Sequence, residues 1–469
     1  MSRFSLIYIG CFLILLSVFS FFNIVYSYYF NIFLSVDSYI YTFIICIVLG
    51  GTLVFYSKNK YLKSSLFEKI TIVLTGYIIF PLIISLPFYL SIYNISFIDC
   101  YFEAISGFTS TGFTVFENIK HLDESLILWR STSQWIGGLY FLFSILLLID
   151  IFDENLKKSL TNYFSLNSSE ILKQSFKILI IYLVLTLISF IVLKIINLRT
   201  FDAFNLSLTI VSSGGFLPIN NFNLLIQDDV SKIVFSIIML ASYFSLFFTY
   251  NLLFFNKKNI NYLSEDFYLL VYLLIIISLF FVFFNDENNF LNILVSITSS
   301  VSNIGISFSN TSTNLSFLFL IFVIIGGSFF STSSGLRLIK VLSLIKFSIN
   351  NLLSHSKPNQ IYLNKVSLAD LSTNKSDINK YFLTIIIFFI SLCSITILLT
   401  ISNIDFESSF KLGILTIMNT VNSEMYNLAN FDFYNLTFFS KISLIIFMII
   451  GRIELLTIFI LIKKFLFKN

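Results

Sequence analysis

Long apolar runs separated by short polar connections dominate the chain: Phe4 to Phe30, Tyr39 to Tyr56, Ile70 to Ile92, Leu126 to Ile149, Phe176 to Ile196, Val230 to Phe255, Tyr268 to Phe284, Leu315 to Leu344, Tyr381 to Ile401 and Phe438 to Phe467. A helix crosses ~30 Å of hydrocarbon with about 20 residues, so these runs have the length of membrane spans. Between the members of each of the last four pairs lies a shorter apolar stretch that gives way to a polar, hydroxyl-bearing turn. The four are FEAISGFTSTGFTVF at Phe102 to Phe116, FNLSLTIVSSGGFLP at Phe204 to Pro218, LVSITSSVSNIGISFSN at Leu294 to Asn310 and LTIMNTVNSEMYNL at Leu415 to Leu428. They recur at intervals of roughly a hundred residues, which marks an internal repeat. Irregular backbone survives at membrane depth only if protein surrounds it or it faces a water-filled cavity. The pattern therefore predicts four re-entrant segments lining one pore.

A finer register runs through the copies. Thirteen positions before Gly112, Gly215 and Gly305 stand Asp99, Asp202 and Asn292, and the same count from Asn422 reaches Ser409; all are residue types that cap helix N-termini. Each copy reads as a capped half-helix of about ten residues, too short to span. If the four C-terminal ends point at one cavity, their dipoles attract a cation there, and the turns beyond offer carbonyl oxygens in place of its water. Glycine suits such a turn because it reaches backbone angles closed to other residues and keeps bulk off a narrow axis.

Composition agrees with a polytopic membrane protein rather than a soluble enzyme: 57% of the 469 residues are hydrophobic, 59 are Phe and only 12% are charged. The expected architecture is all-α, with four pseudo-repeats of helix, re-entrant half-helix plus turn, and helix around one central pore. The first two apolar runs have no counterpart in the repeats and read as an N-terminal helical hairpin, with no small-residue cleavage site after a short apolar core. The expected divisions are the hairpin at 1–60, repeats at 61–160, 161–260 and 261–350, a cytoplasmic linker at 351–380 and a fourth repeat at 381–469. Lys58, Lys60, Lys63 and Lys69 form a basic connection that the positive-inside rule places in the cytoplasm, and most other Lys and Arg fall on the same side of this map. An even number of spans puts both termini there.

Cys11, Cys46, Cys100 and Cys393 show no paired spacing and read as small buried hydrophobes. His121 and His355 are the only histidines and lie far apart, which gives a histidine-based metal or acid/base centre little footing. No phosphate-cradling GxxxxGK motif is present, so nucleotide control would come from outside the chain. A membrane enzyme or sensor would need clustered His, Asp or Cys on facing helices, and the sequence offers none.

Five stretches carry a resemblance: FEAISGFTSTGFT at Phe102 to Thr114, ILWRSTSQWIGGL at Ile127 to Leu139, SSGGF at Ser212 to Phe216, GGSFFSTSSGLRLIKVL at Gly326 to Leu342 and GRIELLT at Gly451 to Thr457. In this order, over nearly the whole length, the chain resembles the Trk/Ktr/HKT superfamily of potassium transporters, and most of all the TrkH-type membrane subunit, which carries an extra N-terminal helix pair. The resemblance implies potassium uptake across the bacterial cytoplasmic membrane. It implies a filter at Thr109, Ser110, Thr111 and Gly112; at Ser212, Ser213, Gly214 and Gly215; at Ser302, Asn303, Ile304 and Gly305; and at Thr420, Val421 and Asn422. The fourth copy departs from the family, since Asn422, or Val421 if the register slips by one, stands where glycine is expected. A sodium or mixed monovalent-cation transporter of the same architecture is the alternative.

The resemblance also implies a gate below the filter. Arg452, deep in an apolar run, matches an arginine that projects into the pore, where its charge opposes cation passage; such a residue is costly in a membrane and faces a cavity or a partner. Gly326, Gly327, Ser331, Thr332, Ser333, Ser334 and Gly335 match an intramembrane loop that blocks the pore, with Ser333 and Ser334 in place of two family glycines and Arg337 at a basic position at its end. Glu103, Arg130 and Gln134 are expected to brace the first half-helix through mutual hydrogen bonds, and Glu424 is either an ion-attracting charge or a solvated mouth residue. The only ligand implied is the transported potassium ion, with no bound cofactor. The implied partners are membrane lipid, a second copy in a homodimer and a cytosolic TrkA-like nucleotide-binding regulatory subunit; nucleic acid is not among them.

Overall fold

The structure is a computed structural model that describes residues 3–57, 65–148, 171–220, 222–254, 264–283, 287–308, 315–356, 375–429 and 431–453. It is almost entirely helical. Helices α1 (Arg3–Tyr29) and α2 (Val36–Ser57) pair first. Gly10 and Gly50 let their backbones approach so closely that a Cβ on either would lie 3.0 Å from the other's carbonyl oxygen, the close packing that small residues permit between membrane helices. Ser20 Oγ hydrogen bonds to Thr42 Oγ1 and to Tyr39 O, both at 2.7 Å, so the hairpin's seam holds its own polar groups.

One motif then recurs four times: a long helix, a short helix ending in a turn, and a second helix. The first unit is α3 (Leu66–Tyr89), α4 (Phe97–Phe108) and α5 (Glu124–Leu147). The second is α6 (Ile171–Ile195), α7 (Thr200–Val211) and α8 (Asp229–Tyr243), which continues as α9 (Leu246–Phe254). The third is α10 (Ser264–Phe283), α11 (Glu287–Val301) and α12 (Ser316–Ile324), followed by a loop closed by the parallel pair β1 (Ile325–Gly326) and β2 (Leu336–Arg337), and then α13 (Leu338–Ser356). The fourth is α14 (Lys375–Ile401), α15 (Phe406–Ile417) and α16 (Phe438–Arg452). The rest of the last predicted span, with Glu454, and the basic cluster Lys58, Lys60 and Lys63 lie outside the described residues.

Six described helices are long and apolar enough to cross a membrane: α1, α2 and the first helix of every unit, α3, α6, α10 and α14. Among the second helices, α5 carries polar side chains of the interior, and those of units two and three are interrupted. Helix α5, with Arg130, Gln134 and several Ser and Thr, is buried along nearly its whole length. The hairpin covers it, with Phe12 packed on Phe80 and Tyr140 and with Phe19 on Trp135. By contrast α14 leaves Phe389, Ile390 and Ile397 exposed, an apolar outer face of the kind that lipid solvates.

Two expectations are corrected here. The half-helices begin earlier than predicted. Ser96, Arg199 and Asp405 occupy the N-cap positions of α4, α7 and α15, while Asp99, Asp202 and Ser409 sit inside the first turn and Asn292 lies within α11. Ser96 Oγ accepts from Asp99 N, so an upstream hydroxyl takes the cap and the carboxylate complements the dipole from within. The second helix of unit two is not continuous over Val230 to Phe255 but breaks at Phe244 and Ser245. Of the expected linker, the described residues at either end are helical: α13 continues through Ser356 and α14 starts at Lys375.

A buried ion pair ties the first unit to the fourth: Lys441 Nζ of α16 bonds Asp99 Oδ1 in the first turn of α4, and also donates to Tyr434 O at 2.7 Å. Removing one partner of a buried pair strands the other charge, at a cost of about 3–5 kcal/mol. Lys441→Ala is therefore expected to lower the unfolding temperature of the detergent-solubilised protein, with Asp99→Asn in the same chain recovering part of the loss; an unchanged melting curve for Lys441→Ala would refute the tie.

Candidate functional site

The four short helices end alike. The amide three residues past the last helical position donates back to the carbonyl two residues before it: Thr111 N to Ser106 O at 2.9 Å, Gly214 N to Thr209 O at 2.7 Å, Ile304 N to Ser299 O at 3.0 Å and Thr420 N to Leu415 O at 2.9 Å. The residue before each of these amides takes a left-handed backbone, namely Ser110, Ser213, Asn303 and Asn419, with φ between 48 and 59°. This is the Schellman closure of a helix C-terminus, usually built with glycine. A non-glycine residue there costs roughly 1–2 kcal/mol. Each of these side chains then hydrogen bonds beyond its own turn.

The common closure fixes the register of the fourth copy. Gly112, Gly215 and Gly305 stand four residues past the ends of α4, α7 and α11, and the same step from Ile417 reaches Val421. Asn422 is therefore not the equivalent position; its Nδ2 donates to Leu428 O at 2.9 Å and braces the following turn. The four equivalent residues converge. A Cβ on Gly112 would lie 3.0 Å from Val421 Cβ and 3.2 Å from Gly215 Cα, one on Gly305 would lie 2.5 Å from Val421 O, and one on Gly215 would overlap the Val421 side chain. Gly112 and Gly305 have φ of +85°, which L side chains adopt only with strain.

A belt of side-chain bonds joins the turns in sequence. Ser213 Oγ donates to Ser302 O at 2.7 Å, linking the second turn to the third. Asn303 Nδ2 reaches Thr420 Oγ1 at 3.2 Å and Val323 O at 2.9 Å, linking third to fourth. Asn419 Nδ2 reaches Thr111 Oγ1 at 3.0 Å and Met448 O at 2.9 Å, linking fourth to first. The remaining side is closed from α5, where Gln134 Oε1 accepts from Phe216 N at 3.3 Å. Gln134 thus braces the second turn, not the first. The first turn is held by Glu103, which accepts from Val115 N at 2.9 Å and from Arg130 Nε at 2.8 Å, while Arg130 also donates to Thr114 Oγ1 and stacks over Phe216.

On the belt's other side lie Arg452 and the loop between β1 and β2. Arg452 is 1% exposed and has no carboxylate within ion-pair distance among the described residues. Its guanidinium donates to Ser334 Oγ at 2.8 Å and to Ser110 Oγ at 3.3 Å and stacks over Phe141 at 4.1 Å. One side chain thus bridges the loop and the one left-handed turn residue that makes no bond to a neighbouring turn. The loop is drawn in by its own donors: Arg337 reaches Ser328 O at 2.7 Å and Gly327 O and Ser333 O at 3.1 Å, Ser331 Oγ bonds Ser333 Oγ at 3.0 Å, and Thr332 Oγ1 donates to Val211 O at the end of α7. Gly326 and Gly335 pack so tightly that a Cβ on Gly326 would collide with Ser334 O, and Gly335 needs its φ of +97°. Glu424 is exposed on a single turn of 3-10 helix beyond the fourth turn. No group of three metal-ligating side chains occurs among the described residues.

Comparison with known proteins points in one direction. Residues 36–255 match the family model TrkH, described as a cation transport protein. A cation transporter of Methanocaldococcus jannaschii, itself uncharacterised, is 25% identical over 82% of this chain and 80% of its own. The Trk system potassium uptake protein TrkG of Escherichia coli is 24% identical over 67% of this chain and 69% of its own. The crystal structure of the potassium transporter TrkH from Vibrio parahaemolyticus superposes with a TM-score of 0.83 over 98% of each chain at 20% identity, which establishes the fold. The chain is similar over most of its length to Trk/TrkH-type transporters and shares their fold. It is a multi-pass membrane protein and not an enzyme.

The sequence-selected residues Thr109 to Gly112, Ser212 to Gly215, Ser302 to Gly305 and Thr420 to Val421 come together, and Arg452 and the 326–335 loop lie against them. Three contributors escaped sequence reading: Asn419 as a turn residue, Gln134 on the second turn, and the helix break at Phe244. The steric arrangement at the centre makes a double test. Gly215→Ala is expected to cut rubidium uptake by roughly tenfold or more, the effect of about 1.4 kcal/mol, because its methyl meets Val421. Adding Val421→Gly should restore part of it; uptake equal to that of the natural chain in the single variant would show that the two positions do not meet.

Proposed function

We propose that this TrkH-type transporter carries potassium into the cell through a ring of main-chain oxygens formed by the four turns, and that the 326–335 loop and Arg452 gate the path. The observation that carries the reading is the meeting of Gly112, Gly215, Gly305 and Val421 at the C-terminal ends of four short helices. Four helix ends directed at one point make it favourable for a cation, and small residues leave the backbone accessible. A membrane potential supplies roughly 2.3 kcal/mol per charge per 100 mV, enough to drive accumulation without an ATPase. Among the described residues Arg452 is held by hydroxyls rather than by a carboxylate, and a positive charge next to the path opposes a passing cation. The names of the Trk relatives, which are potassium uptake proteins, support the same ion.

Val421 favours a second reading, a sodium or mixed monovalent-cation transporter. Its isopropyl group breaks the equivalence of the four positions, and a ring that is not fourfold discriminates less between ions by field and size. The proposal extends to the repeat divisions read from the sequence, to an inner-membrane location with cytoplasmic termini, to a homodimer and to a TrkA-like regulatory subunit docked on the basic loops.

Growth of a potassium-uptake-deficient bacterium at low potassium tests the reading. The natural chain should rescue growth, Gly112→Asp should abolish rescue, and Arg452→Ala should raise the uptake rate several-fold. Val421→Gly should raise the ratio of rubidium to sodium uptake. Failure of rescue together with sodium uptake by the natural chain would replace potassium by sodium; rescue unaffected by Gly112→Asp and Arg452→Ala would remove the site assignment.

A further inference from the structure

The second helix of unit two is interrupted at Phe244 and Ser245, and the gap is filled by the loop of unit three. Ser328 N donates to Tyr243 O at 2.9 Å, Ser333 N to Ser242 O at 3.2 Å, and Leu246 N to Phe330 O at 2.9 Å. Phe330 stacks on Phe247 of α9, with ring centroids 4.9 Å apart and planes inclined by 18°. Behind both segments the start of α10 presents two buried carboxylates. Asp266 accepts from Ser245 N at 2.8 Å and from Ser245 Oγ at 2.6 Å, and Glu265 accepts from Phe329 N at 3.1 Å. A helix break leaves carbonyls on one side and amides on the other without intrahelical partners, and apolar surroundings make each unpaired group costly. Here the broken helix and the loop pair each other's main-chain groups. Neither withdraws alone without stranding several of them.

We propose that the break at Phe244–Ser245 is a clasp that holds the 327–334 loop against the turns, with Asp266 and Glu265 as its positioning residues, so that displacement of α9 frees the loop. The proposal rests on the reading of that loop as the gate. Displacing α9 withdraws Leu246 N and the Phe247 ring from Phe330, and with them two of the loop's attachments; Arg452 and Thr332 hold it from the opposite side. Because no clasp residue belongs to the four turns, loosening the clasp changes how often the path is open and not which ion fits it.

Rubidium-86 and sodium-22 influx into proteoliposomes, normalised to the amount of monodisperse reconstituted protein, tests this. Phe330→Ala and Asp266→Asn should each raise rubidium influx several-fold while leaving the rubidium-to-sodium ratio unchanged; a merely structural loss lowers influx per protein or shifts the ratio, and either result overturns the clasp. Should these variants fail to fold, Leu246→Cys with Phe330→Cys, in a chain whose four natural cysteines are replaced by serine, decides the matter. Its disulfide should suppress influx and dithiothreitol should restore it, whereas equal influx in both redox states overturns the proposal. Deletion of Phe329 to Ser333 separates the two levels. Raised influx on deletion with no effect of the clasp variants removes the clasp and keeps the gate. No effect of the deletion removes both.

Discussion

A main-chain amide or carbonyl removed from water must find a partner, and inside a bilayer that partner has to be protein. This requirement governs the centre of the molecule. Four short helices end there, each leaving carbonyls that the helix itself does not pair. The Schellman closure takes up two per helix, and it demands a left-handed residue at the same place each time. Ser110, Ser213, Asn303 and Asn419 meet that demand with short polar side chains where glycine would meet it more cheaply. Three of the four side chains cross to the next unit, so the strain of the turn is offset by the bonds that tie the units together. The loop of unit three obeys the same rule, with Arg337, the broken ends of α8 and α9 and Glu265 satisfying a backbone that makes no regular structure of its own.

Buried charge is used in two distinct ways. Glu103 with Arg130 and Asp99 with Lys441 are closed pairs, each fixing a short helix against a longer one. A closed pair has a weak far field and positions structure without acting on a passing ion. Arg452 is different. Its hydrogen-bond partners among the described residues are two hydroxyls, one on each terminal nitrogen, and an aromatic face stacks on its plane; none of these is a carboxylate. By touching Ser110 and Ser334 at once, it makes the position of the loop and the geometry of the first turn depend on each other.

The sequence made the long helices legible because about twenty apolar residues in a row admit few other structures, and the four turns legible because hydroxyls and glycines recur at one offset. What it obscured was long-range satisfaction of polar groups. Asp99 and Asp202 look like caps, yet Ser96 and Arg199 hold those positions, because capping is decided by where the chain enters the helix and not by residue type alone. The break after Tyr243 is invisible in an apolar run, since its partners, Ser328, Phe330 and Asp266, lie far away in sequence. Gln134 looked like a neighbour of Glu103 and Arg130; one helical turn on from Arg130 it faces Phe216 instead.

The fourth turn shows how much a shift of one residue matters. Aligned by residue type, Asn422 stands against three glycines, and the departure would be a polar side chain beside the ion path. Aligned by the helix closure, the position belongs to Val421, and the departure is an apolar, branched side chain packed against Gly112, Gly215 and Gly305. The two cases have opposite consequences. An amide would contribute a further oxygen to the ring, whereas an isopropyl group contributes bulk and leaves only the main-chain carbonyl to act. The room for Val421 comes from its neighbours: Gly215 has no side chain where the valine lies, and a methyl there would overlap it. The glycines of three units are thus matched to the valine of the fourth, so a near-fourfold arrangement of backbone coexists with side chains that have no rotational symmetry. In such a ring the valine decides which backbone groups can approach the centre, and exchanging it for glycine alters the packing of all four turns at once.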